Sequence, residues 1–178
     1  MKRQPFEHDE KNYDLSHLDP FDWVYKIKKN DGQSEDVYKF QVEFSDHTFT
    51  SSPERNSSGI HYDTGTKDKR LFDFDRYNHS LRLPEIIQGL ASRKCFLTGT
   101  DHKNYFTVEI IDEDGSKRNY AVFFAVKKME KRRGWIRLYV ESAYILDEDK
   151  EPSKKRKIGF NVIARNTQRG SNINRRKR

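Results

Sequence analysis

Apolar positions along this chain follow two spacings, and the switches between them mark out the elements. Trp23-Val24-Tyr25-Lys26-Ile27-Lys28 alternates, and Val37 to Phe44 alternates again, with Tyr38, Phe40, Val42 and Phe44 on one side and Lys39, Gln41 and Glu43 on the other. A period of two belongs to a half-buried strand. Asn30-Asp31-Gly32 between the runs can turn the chain, so the pattern predicts an N-terminal β-hairpin. Leu83, Ile86, Ile87, Leu90 and Ala91 recur at the three-and-four spacing of an amphipathic helix. Pro84 and Glu85 suit its first turn and Arg93-Lys94 its last.

Alternation then returns. Cys95 to Thr98 reads as a short strand, Tyr105 to Ile111 as a second, Asn119 to Lys127 as a third and Trp135 to Leu146 as the longest, with Lys157 to Arg165 as a last one. Asp112-Glu113-Asp114-Gly115 and the basic stretch Lys128 to Gly134 supply the turns. Residues 1–20 lack apolar periodicity and read as a mobile lead-in. Ser45 to Arg70 reads as one long loop, and Leu71 to Asp75 as a short extended piece. The predicted fold is α+β: a curved antiparallel β-sheet meander packed on one main α-helix, with an N-terminal β-hairpin and a basic C-terminal strand and tail. The expected divisions are a flexible lead-in at 1–20, one domain at 21–166 and a basic tail at 167–178.

Charge changes the picture. The formal net charge of the 178 residues is +7. Residues 150–178 hold eleven Lys and Arg against the single acid Glu151, and the rest of the chain is slightly acidic, with 24 bases and 27 acids. An acidic body with a basic end suits contact with a polyphosphate, because each cation that meets a phosphate releases condensed counterions. The longest apolar run, Ala121 to Val126, is far short of the roughly 20 residues of a membrane span. The N-terminus leads into acids rather than an apolar stretch, so neither a signal peptide nor a membrane partner is expected and the location expected is cytoplasmic. Cys95, the lone cysteine, excludes an intramolecular disulfide framework and reads as a small core residue. No metal and no cofactor are expected: the six histidines form no i, i+4 pair on a predicted helix, and no phosphate-binding glycine loop occurs.

Strand parity assigns the open face. If Ile136, Leu138 and Val140 meet the helix, then Trp135, Arg137, Tyr139, Glu141 and Ala143 face away, while Ser142 and Tyr144 are covered. The same rule puts Tyr105, Thr107 and Glu109 outward on their strand, and Lys157, Asn161 and Arg165 outward on the last. Tyr105, Trp135 and Tyr139 are thereby candidates for stacking bases. Lys127, Lys128, Lys131, Arg132 and Arg133, with Lys154, Lys155, Arg156, Lys157, Arg175, Arg176, Lys177 and Arg178, are candidates for holding phosphates. The face also carries ingredients for metal-independent RNA cleavage. Glu141 or Glu109 would take the proton of a ribose 2′-hydroxyl, Arg137 and Arg165 would stabilise the transition state, and His102 would protonate the leaving oxygen. The alternative is that Glu109, Arg137, Glu141 and Arg165 form ordinary cross-strand ion pairs.

The order of elements over residues 80–146, a helix at Leu83-Pro84-Glu85-Ile86-Ile87 followed by a meander ending in Leu138-Tyr139-Val140-Glu141-Ser142-Ala143-Tyr144, resembles the small ribonuclease superfamily of barnase, tRNA-cleaving colicins and RelE-like toxins. That resemblance implies an RNA substrate and an active site on the open sheet face. Three functions are therefore expected in turn. The first is an RNA-directed protein acting as a toxin-like, metal-independent endoribonuclease. The second is a non-catalytic module binding RNA or, less readily, DNA through the same face. The third is a protein-interaction protein that meets an inhibitory or complex-forming partner and whose basic tail is incidental.

Overall fold

The computed structural model describes residues 2–28, 34–55, 59–97, 103–111, 115–146 and 157–171. The chain opens with a small hairpin, β1 (Phe6–His8) and β2 (Lys11–Tyr13), joined by Asp9 and Glu10, both at positive φ. Left-handed backbone at both central positions matches the turn to the twist of the paired strands. This segment is therefore not a mobile lead-in. The Phe6 ring stacks on Phe72 at 4.2 Å, the Tyr13 ring lies 5.2 Å from Phe74, and Leu15 and Leu18 are fully buried. Four irregularly spaced apolar side chains leave no periodic signal, yet burying them is enough to fix the segment to the body.

β3 (Phe21–Lys28) and β4 (Glu35–Phe44) pair antiparallel as the alternation predicts, with Trp23 opposite Phe40 and Tyr25 opposite Tyr38. The intervening turn at 30–32 lies outside the described residues. Within the expected long loop stands a second small sheet, in which β7 (Arg70–Phe72) is flanked by β5 (Thr50–Ser51) and β6 (Ile60–Tyr62). The strand predicted over 71–75 stops at Phe72. Asp73 then caps helix α1 (Phe74–Ser80), its carboxylate accepting from the Arg76 N–H at 3.1 Å. Helix α2 (Leu83–Gln88) carries Pro84 in its first turn as expected and tightens into one 3-10 turn at Gly89–Ser92.

The meander follows: β8 (Lys94–Leu97), β9 (Lys103–Ile111), β10 (Lys117–Lys128), β11 (Trp135–Ile145), then β12 (Lys157–Gly159) and helix α3 (Phe160–Arg169). The main sheet runs in the order β12-β8-β9-β10-β11-β4-β3. Every neighbouring pair is antiparallel except β11 and β4, which run parallel with Leu138 beside Val42. The fold is α+β, with a curved, mostly antiparallel sheet, as predicted. Among the described residues no helix is long and apolar enough to cross a membrane.

The longest helix is α3, not α2, and it replaces most of the strand expected over 157–165. Phe160, Ile163, Ala164 and Thr167 are buried at helical spacing, whereas Val162 is 41% exposed. The Phe160 ring is the keystone of the packing, 5.6 Å from Trp23, 5.4 Å from Phe40 and 6.2 Å from Phe124. Around it, Tyr38, Phe40 and Val42 of β4, Ile136, Leu138 and Val140 of β11, and Phe124 and Val126 of β10 fill one core. The helix ends where Gly170 takes a left-handed φ of 69° and Ser171 donates back to the Asn166 carbonyl at 2.9 Å. Residues 167–169 therefore belong to the folded body rather than to a tail, and 172–178 lie outside the described residues.

Parity also changes inside β11. Phe123 pairs with Ser142 but Phe124 pairs with Val140, so Glu141 is the extra residue of a β-bulge. Beyond it the faces exchange: Ala143 is buried, while Ser142 and Tyr144 sit on the outer side with Phe123, whose ring stacks on Tyr144 at 5.3 Å. The expected assignment of Ala143 outward and Tyr144 inward is corrected by that one inserted residue.

Candidate nucleic-acid interface

Two strands and the end of a helix build a groove. β10 runs past the start of β9, so Val126 to Lys128 have no paired neighbour on that side among the described residues. The chain leaves β10 through Met129 and returns at Trp135, held by a Met129 N–H to Trp135 carbonyl bond of 2.9 Å, with Gly134 at a φ of 82° completing the turn. The C-terminal turn of α3 closes the remaining side. The resulting groove, about 950 Å³, has a floor of Ala125, Val126, Met129 and Tyr139. Lys127, Lys128, Arg133 and Arg137 line its rim, against Glu130 and Glu141. Over residues 127–137 the sequence carries six cations and one acid.

The outer face next to the groove is laced with ion pairs. Arg137 donates Nε at 2.9 Å and Nη2 at 2.6 Å to the Glu43 carboxylate, and its guanidinium lies 4.5 Å from the Tyr139 ring centre. Arg132 holds both carboxylate oxygens of Asp22 at 3.0 Å while covering the Trp135 ring at 3.5 Å. Lys39 lies 6.0 Å from the same ring. Each of these bonds favours the charged forms, so Arg137 and Arg132 are raised above the ordinary arginine range, chiefly by their carboxylate partners, and Asp22 is lowered by Arg132. Asp22 and Glu43 are the residues that sequence reasoning missed. Outward parity on β4 marked Glu43, and Asp22 precedes the run read as β3; the parallel neighbour β11 and the loop before it, which bring cations to them, leave no local signal.

The candidate catalytic residues do not converge. Arg137 and Glu141 both line the groove. Glu109 sits opposite Asn119, four residues along β10 from Phe123, which places it about 14 Å away along the sheet; it is exposed and paired with Lys117 at 3.1 Å. Arg165 lies on α3, not on a strand, and is 3.6 Å from Asp36 at the start of β4. His102 lies outside the described residues. Among the described residues no histidine lines the groove.

The binding candidates divide likewise. Lys127, Lys128 and Arg133 are at the groove, Tyr139 is in its floor, and Lys131, Arg132 and Trp135 flank it on the same loop and strand. Tyr105 belongs to β9, opposite Phe123. Lys157 is on the far edge strand, separated from β10 by β8 and β9. Lys154, Lys155, Arg156, Arg175, Arg176, Lys177 and Arg178 lie outside the described residues. Cys95 is buried, with its thiol pushed up to about 12 by desolvation, which makes it a core residue. Among the described residues no three His, Cys, Asp or Glu side chains gather as a metal site requires.

No solved structure matches the chain. It is 29% identical over 180 residues to "Protein YjaZ" of Escherichia coli (strain K12), the alignment covering 97% of this chain and 94% of that relative. The model of the YjaZ family matches residues 5–168, from the first hairpin to the last turn of α3, so that β10, β11 and all but the end of α3 lie inside the match and the chain belongs to the YjaZ family.

Proposed function

We propose that this protein is a non-catalytic nucleic-acid-binding module that holds single-stranded RNA, in preference to DNA, by its phosphates along the β10–β11 groove. The observation that carries the reading is the rim of Lys127, Lys128, Arg133 and Arg137 around an apolar floor containing Tyr139. A cationic track beside an aromatic ring is the combination that binds single strands without reading many bases. The faces of Trp135 and Tyr139 already carry Arg132 and Arg137, which favours phosphate contact over deep base stacking. Cleavage is the weaker reading, since its acids and arginines are dispersed over two faces and two ends of the sheet.

Fluorescence polarisation with a labelled single-stranded RNA between 50 and 200 mM salt tests it. Four phosphate contacts give a slope of log K against log salt of about −3, at roughly 0.7 per contact. Replacing Lys127, Lys128 and Arg133 together by alanine brings that slope down by about 2. Absence of salt-sensitive binding overturns the reading. Cleavage of the same RNA in EDTA, abolished in Glu141→Gln, would replace binding by metal-independent ribonuclease chemistry.

A further inference from the structure

A second concentration of positive charge stands on the same outer face, beyond the bulge, where Arg55 of the loop after β5 and Arg76 of helix α1 approach Tyr144. Arg70 is only 9% exposed and donates Nε to the Thr50 hydroxyl at 3.0 Å and Nη2 to the Thr50 carbonyl at 2.8 Å. Arg76 reaches the same carbonyl from helix α1, donating Nη1 at 2.9 Å, and also bonds the His47 carbonyl at 3.1 Å. Two guanidinium groups bound to one oxygen at these lengths have their nitrogens at most about 5.7 Å apart. Arg55 completes the group: it and Arg76 approach the Tyr144 ring, with centroid distances of 5.7 and 5.3 Å.

The acids nearby do not neutralise three cations at close range. Asp73 lies 3.7 Å from Arg76, and Asp46 is engaged with Arg3. Asp68, Asp46 and Glu54 act on Arg70 only through space. Among the described residues, Nη1 of Arg70, Nη2 of Arg76 and the whole Arg55 guanidinium make no hydrogen bond. Burial and mutual repulsion both lower Arg70 and Arg76 from the ordinary arginine range. Closely spaced guanidinium groups with donors left over are what an oxyanion would satisfy, and the planar fork of arginine fits its oxygens two at a time.

We infer that Arg55 and Arg76 over Tyr144, with Arg70 beside Arg76, form a binding site for a phosphoryl group. The oxyanion is either free phosphate or the terminal phosphate of a strand lying along the same face. This site does not depend on the groove. Arg55 is the exposed member through which the anion enters, and Arg70 and Arg76 are the fixed wall.

The test is thermal denaturation of the full chain in increasing inorganic phosphate, with chloride holding ionic strength constant. A saturable rise in Tm is expected, and Arg55→Ala is expected to weaken the apparent phosphate affinity about tenfold, the change that about 1.4 kcal/mol of lost interaction produces. Arg76→Lys, which keeps the charge and removes the fork, is expected to do the same. In a Lys127→Ala Lys128→Ala background the part of the phosphate-induced rise that depends on Arg55 is expected to persist, so loss of RNA binding in the groove and loss of this site are read separately. A short oligonucleotide with a 5′-phosphate competing better than its 5′-hydroxyl counterpart identifies a strand end; equal competition by the two identifies free phosphate. A Tm rise no larger than chloride gives, or wild-type phosphate affinity in both arginine variants, overturns the inference.

Discussion

Ile163→Ala and Val162→Ala set two ways of folding the last segment against each other. As a strand, residues 157–165 would bury Val162 with Phe160; as helix α3 they bury Ile163 and leave Val162 41% exposed. Truncating Ile163 removes three carbons from full burial and leaves a cavity against the sheet, at a cost of about 2–5 kcal/mol. In a chain of this length that lowers Tm by about 4–20 °C. Truncating Val162 removes partly hydrated methyl groups, while alanine recovers about 0.5 kcal/mol of helix propensity, so the net change stays within about 0.5 kcal/mol. Urea titration followed by tryptophan fluorescence is a direct assay, because Trp23 stacks on Phe160 at the foot of α3 with rings 5.6 Å apart. If Val162→Ala costs as much as Ile163→Ala, the helical assignment and the packing built on it are wrong.

Other consequences are quicker to check. His17 meets the Ser80 hydroxyl at 2.8 Å, and burial holds it below the ordinary histidine range. The unfolded chain therefore takes up the proton first, so stability is full above about pH 6.5 and falls as the pH drops below it; the loss of Tm between pH 7.5 and 5.5 should shrink in His17→Gln. Cys95, with its thiol at about 12 and no exposed surface, should react with a disulfide reagent only as fast as the protein unfolds, and at once in 6 M guanidinium. Arg137→Ala breaks the pair with Glu43 on a partly exposed face, so its cost in urea should not exceed about 1 kcal/mol, while RNA affinity falls by a measurable factor at low salt.

Where the chain obeys one periodicity, its structure is legible from the residues. Tyr38 to Phe44, Phe106 to Ile110 and Ile136 to Val140 alternate without interruption and form the strands expected, and Pro84 marks the start of α2. The failures have separate causes. Ile158, Phe160, Val162 and Ala164 satisfy a period of two, while Phe160, Ile163, Ala164 and Thr167 satisfy a helical one. β-branched and aromatic content favours the strand; only packing against Trp23 and Phe124 selects the helix. The bulge at Glu141 inserts one residue with no turn signal and reverses every assignment after it. Of the candidate site, the basic hairpin and its aromatics could be read directly because they are local in sequence. Convergence of Glu109, Arg165 and Glu141 could not, because it depended on a register and an element type that long-range contacts decide.

The parallel seam between β4 and β11 has a consequence for how the protein is made. β4 ends at Phe44, and the strand that completes its open side begins at Trp135. At about 5–20 residues per second, a ribosome takes roughly 5–20 s to supply it. Throughout that interval the β3–β4 hairpin carries an apolar face and an unpaired edge, the form in which strands recruit wrong neighbours. Slow translation between residues 44 and 135 lengthens that exposure, so yield of the intact protein should depend on chaperone supply more steeply than its final stability would indicate.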